Sequence, residues 1–157
     1  MEAFDYFEEL SACQHLFLGA ASEPRANSLK IEVIEGRVSR VAVPVEVAGQ
    51  SLGQGFPMSV DETCARYELT WNSYVLYQVT NELFGQKEES QDGILGNSAS
   101  IYRFSGLLEY VVRSTIASDE YPGKLAHYQI ICADHVIDVI SAERPECLRI
   151  SRTLQVN

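Results

Sequence analysis

His127, Asp138, Cys132 and His135 are the residues whose types and spacing could do chemistry. If Ala133-Asp134 is a two-residue turn, the strands on either side of it set Gln129 opposite Asp138 and His127 diagonally from Asp138 on the same sheet face. A carboxylate beside an imidazole can orient the ring for acid-base catalysis. The same register sets Cys132 opposite His135, as a thiol nucleophile and its base would stand. Two considerations oppose a catalytic reading. Strand histidines commonly make structural hydrogen bonds, and the sequence places no serine or cysteine nucleophile beside the His127 and Asp138 pair. Cys132 sits among Ile130, Ile131 and Ile137, where a thiol is buried and inert. Neither pair has a metal-ligand spacing, so no metal and no cofactor are expected. The glycines at 49, 53 and 55 are not followed by the Gly-Lys-Ser/Thr of a phosphate cradle.

A second group of residues fits binding better than reaction. Between Tyr67 and Phe84 lie Tyr67, Trp71, Tyr74 and Tyr77, interleaved with Glu68 and Glu82, and the flanking segments add Asp61, Glu62, Glu88, Glu89 and Asp92. Aromatic anchors with an acidic rim resemble a protein interface. The candidate contact residues are therefore Asp61, Glu62, Glu68, Tyr74, Tyr77, Glu82, Glu88, Glu89 and Asp92. The competing reading is that the rings are core and the acids a solvated surface.

Charge narrows the partner. The chain has 22 acidic and 12 basic residues, a net charge of -10. The first hundred residues carry 15 acids and 6 bases, so -9 of the total lies there. A field of that sign repels nucleic acid and anionic membrane and attracts a basic protein. At 157 residues, 46% of them hydrophobic, the chain is expected to be one globular domain. The four cysteines form no Cys-x-x-Cys pair, and the acidic start is unlike a signal peptide, so a reducing cytoplasmic setting is expected.

The elements that must position these residues follow from periodicity. From Glu2 to Leu18, apolar residues at three- and four-residue steps predict an amphipathic helix. Leu29, Ile31 and Val33 alternate with Lys30 and Glu32 as a strand, and Glu35-Gly36 reads as a tight turn. Val41 to Val47 reads as an edge or bulged strand because Pro44 cannot donate to a ladder. The glycine-rich run 48–61 reads as a mobile loop. Arg66 to Trp71 and Tyr74 to Leu83 are expected to pair as a hairpin across Asn72-Ser73. Ser105 can cap a helix with Leu107, Leu108, Val111, Val112 and Ile116 on its apolar face, and Ala126 to Ser141 forms a last hairpin. Together these predict an α+β fold, an antiparallel sheet built from hairpins with two helices packed on one face.

The segments Tyr67 to Glu82 and His127 to Ser141 resemble those of small acidic bacterial proteins, some with the size and charge of immunity proteins that neutralise a toxin of the same cell. That resemblance implies a non-catalytic protein-binding module acting on a basic toxin. The alternatives are a small enzyme or ligand-binding domain using His127 and Asp138, which requires a polar pocket over the sheet, and a structural homodimer.

Overall fold

The structure is a computed structural model that describes residues 5–150. It is mostly antiparallel sheet, 46% strand and 10% helix. The α+β expectation of one sheet with two helices on one face is therefore corrected. Two sheets share a core, and the two short helices lie in different places.

The first sheet has the order β1 (Leu16–Ser22), β2 (Leu29–Glu35), β7 (Arg66–Trp71), β13 (Glu146–Ile150). The second has the order β8 (Leu76–Asn81), β12 (His135–Ser141), β11 (Ala126–Ile131), β10 (Ala99–Tyr102), β9 (Gly93–Ile94). Their inner faces meet because each strand alternates. Leu29, Ile31, Val33, Tyr67, Leu69 and Trp71 from the first sheet join Tyr128, Ile130, Ile137 and Val139 from the second in one buried cluster. Trp71 meets Tyr128 edge to face across it, at 5.7 Å between ring centres. Helix α1 (Phe7–Ala12) adds Phe7 and Leu10 to this cluster. Helix α2 (Gly106–Ser114) packs Leu108 and Val111 against Ile140 on the outer face of the second sheet.

Several local expectations change for identifiable reasons. The predicted helix over residues 2–18 is only six residues long where described, and Leu16 to Leu18 open β1 instead. Three consecutive apolar residues satisfy a period of two as well as one of 3.6, and pairing with β2 decides between them. The part of that prediction on residues 1–4 lies outside the described residues. Gly36 is no tight turn: the chain runs on into β3 (Arg37–Val38), and a side chain at Gly36 would collide with the Phe17 ring. Strands β7 and β8 do not pair. After Trp71 the chain crosses between sheets, and Val75 N–H donates to Ile140 C=O at 2.8 Å on the second sheet.

The run 48–61, read as a loop, is largely strand. β4 (Val43–Val47) pairs with β5 (Gln50–Gly55), and β3 pairs with β6 (Met58–Ser59), giving a two-stranded arm. Its turn is Ala48-Gly49, both with positive φ, as a two-residue hairpin needs. The register shift after Pro44 supplies the bulge that proline called for.

Candidate functional site

The β11–β12 hairpin has the register read from its two-residue turn: Gln129 is opposite Asp138, and Cys132 N–H donates to His135 C=O at 2.7 Å. His127, Gln129 and Asp138 point away from the shared core, onto the outer face of the second sheet, yet all three are buried. The segment 86–88 and the first turn of α2 cover them.

Beneath that cover the polar groups are matched one to one. Asp138 Oδ1 accepts from His127 Nε2 at 2.8 Å and Gln129 Nε2 at 2.9 Å, and its Oδ2 accepts from Gln78 Nε2 at 3.0 Å. Burial alone would push the Asp138 carboxyl up, but these three donors and the nearby imidazole outweigh it and hold the group below its ordinary value. Gln129 continues the network, donating to Gln86 C=O at 3.1 Å and accepting from Glu88 N–H at 2.9 Å.

The sequence reading missed Ser105. Its Oγ lies 2.9 Å from His127 Nδ1, completing an unbroken Ser105, His127, Asp138 series. A carboxylate can only accept, so Nε2 donates to it, and in the Nε2–H tautomer Nδ1 accepts a hydrogen bond from the Ser105 hydroxyl. Ser105 was legible as a cap, and it does cap α2 by accepting from Leu108 N–H at 3.1 Å. The contact with His127 depends on β10 pairing with β11, which sets Tyr102 opposite His127 and brings Ser105, three residues on, beside the ring.

These residue types invite comparison with an acyl-transfer triad. A cavity of about 350 Å³ borders the group, lined by Gln78, Lys87, Glu88, His127, Gln129 and Asp138 among others, so the polar pocket over the sheet that the ligand-binding alternative requires is present. However, the cavity wall at the start of α2 is made by Gly106 and Leu107, while Ser105 is 7% exposed and His127 is 2% exposed. A serine oxygen committed to a helix cap and closed off from the cavity cannot meet a substrate carbonyl. The arrangement instead bolts α2 and the 86–88 segment to the sheet. Cys132 is equally unsuited to attack, since burial pushes its thiol up to about 12.

The nominated contact residues sit on several separate elements. Asp61 and Glu62 follow β6 at the base of the arm, where Asp61 is tied to Thr63 N–H at 2.7 Å and to its hydroxyl at 2.6 Å. Glu68 lies on the outer face of the first sheet, opposite Glu32, and is paired with Lys30 at 2.9 Å. Tyr74 and Tyr77 are half-buried, edge to face at 5.1 Å, against the shared core, and Tyr74 is bonded to Glu23. Glu82 and Glu89 are exposed; Glu88 folds back to accept from Glu89 and Ser90 N–H; Asp92 stands 3.9 Å from Arg103. Among the described residues no hydrogen bond or ion pair joins the Asp61 group to the Glu88 group.

A long run of exposed apolar side chains lies on the arm. Val38, Val41, Val43, Val47, Leu52, Phe56, Met58 and Val60 are all exposed, with Val41 at 69%, Leu52 at 66% and Phe56 at 60%. The signal was present as four alternating valines followed by leucine and phenylalanine in a polar, glycine-rich run. Among the described residues no group of three or more His, Cys, Asp or Glu could hold a metal ion, and no helix is long and apolar enough to cross a membrane. The chain matches no protein-family model, no curated protein and no solved structure.

Proposed function

We propose that this chain is a non-catalytic cytoplasmic module that binds a basic protein, gripping it with the β3–β6 arm. The observation that carries the reading is the arm: eight large apolar side chains exposed within residues 38–60. Apolar side chains left exposed together on one element are a mark of association sites. The two-stranded arm also leaves backbone groups on both outer edges free to extend a partner's sheet. The net charge of -10 supplies long-range attraction for a basic partner, while burial of the arm supplies the lifetime of the complex. Neutralisation of a toxin is the particular form that the immunity-protein resemblance suggests.

The test uses Leu52→Asp with Phe56→Asp, two exposed positions whose change leaves the fold intact. The protein encoded by the adjacent reading frame is expressed in the host with either form of this chain. Growth is expected with the wild type and not with the double variant, at equal levels and equal melting temperature. Equal protection by both would remove the arm from the interface. A purified complex whose association rate is insensitive to salt would remove the electrostatic half. Sedimentation as a dimer that the double variant abolishes would make the partner a second copy of the chain.

A further inference from the structure

We infer that the cavity between α2 and the segment 118–125 is a binding site for a single-chain amphiphilic anion, of which a fatty carboxylate is the simplest. It encloses about 720 Å³, within the range of small-molecule sites and twice the cavity over His127 and Asp138. The inference is independent of the arm and of any protein partner.

The lining separates by chemistry. Phe104, Leu108, Val112 and Leu125 supply apolar walls. Leu108 and Leu125 are buried, whereas Phe104 is 70% exposed and Val112 57% exposed, so two apolar side chains stand uncovered at the mouth. The polar side chains there are nearly all ionic: Arg103, Arg113 and Lys124 against Glu109 and Asp119, with Ser118. An apolar body is therefore accepted against these walls, and polar recognition falls to the charged groups around them.

The sign of the charge accepted there follows from comparison with the rest of the molecule. With a net charge of -10 the protein repels anions in general. Among the lining side chains cations outnumber carboxylates by three to two, with Asp92 beside Arg103 outside the lining, whereas Lys87 alone faces Glu88, Glu89 and Asp138 at the other charged cavity. The rim cations are not used up by their neighbours. Arg103 is 3.9 Å from Asp92, and Arg113 is 3.7 Å from Glu109, both in largely exposed pairs of little strength. Lys124 has no ion-pair partner among the described residues. Each guanidinium keeps donors free for a ligand carboxylate.

The experiment is calorimetric titration of the full chain with dodecanoate below its micellar concentration, with dodecylammonium as the opposite-charge probe and anionic phospholipid vesicles as a membrane probe. Saturable one-to-one binding of dodecanoate is expected, with no comparable binding of dodecylammonium. Arg103→Ala with Lys124→Ala should weaken it about tenfold, and Val112→Asp should abolish it while the melting temperature stays unchanged. Dodecylammonium binding as tightly as dodecanoate, a Val112→Asp variant that binds normally, or binding to vesicles alone would overturn the inference. None of these outcomes touches the arm, so failure here is distinguishable from failure of the protein-binding reading.

Discussion

The arm and the outer face of the second sheet are inverted with respect to each other. On the arm, valine, leucine and phenylalanine face solvent; on the sheet face, histidine, glutamine and aspartate are buried. In the second region every polar group named above has a partner within the chain, at distances of 2.8 to 3.1 Å. In the first, apolar side chains are left 38 to 69% exposed. Residue type alone does not decide what is buried; completeness of partnership does. A closed polar network is finished when the chain folds, whereas the apolar arm is left open to solvent. The comparison therefore assigns the buried network to stability and leaves the arm as the region proposed for binding, against the ordinary intuition that a histidine and an aspartate in contact are the working parts.

The largest effect should come from breaking the network. His127→Ala removes the Nε2 donor from a buried carboxylate, leaves Ser105 without its ring acceptor and opens a void. Loss of one partner of a buried pair costs on the order of 3 kcal/mol, read as a fall in urea midpoint at unchanged slope. Leu52→Asp with Phe56→Asp should move the same midpoint by no more than about 0.5 kcal/mol. Comparable losses in both variants would erase the distinction between the two regions.

A smaller effect is expected from pH. The Asp138 carboxyl is held below its ordinary value of 3.8, so the folded state favours its charged form. Its contribution is fully present above that value and is lost as pH falls from there through the folded-state value. Asp138→Asn should therefore be less stable than wild type at pH 7, and the gap should close as the medium is taken below pH 3.8. A gap of constant size at pH 7 and pH 3 would show that Asp138 contributes by packing and not by charge.

What was legible in the sequence follows the range of the interactions involved. The β11–β12 register needs only a two-residue turn and alternation on either side, and it placed His127, Gln129 and Asp138 on one face. Tyr67, Leu69 and Trp71 share one face of their strand by the same alternation, and that face is the buried one. The link to Ser105 was not, because it spans 22 residues and depends on which strand lies beside β11. Asn72-Ser73 has the composition of a hairpin turn, but the flanking strands join different sheets, a choice made by where their inner faces are covered. The helix expected over residues 2–18 yielded to a strand because β2 offered pairing that no local propensity records. The segment Gln50 to Gly55 has little strand propensity of its own and is held by β4, so it read as a loop.

The smallest effect sharpens the account of the arm. Ala48 opens the two-residue turn at φ 51, a left-handed conformation that Cβ makes unfavourable for alanine, followed by Gly49 at φ 78. Asparagine tolerates that region because its side chain bonds locally, and Asn-Gly is the preferred pair for such a turn. Ala48→Asn should therefore stabilise the arm by about 0.5 kcal/mol. Because the arm is exposed along its length, the gain should appear as slower amide exchange confined to the strands from Val43 to Gly55, with little change for β11 and β12. A uniform slowing across both sheets would mean that the arm unfolds only with the sandwich and is an integral part of it. Local slowing would show an arm that opens by itself, as an element whose apolar surface is completed by a partner should.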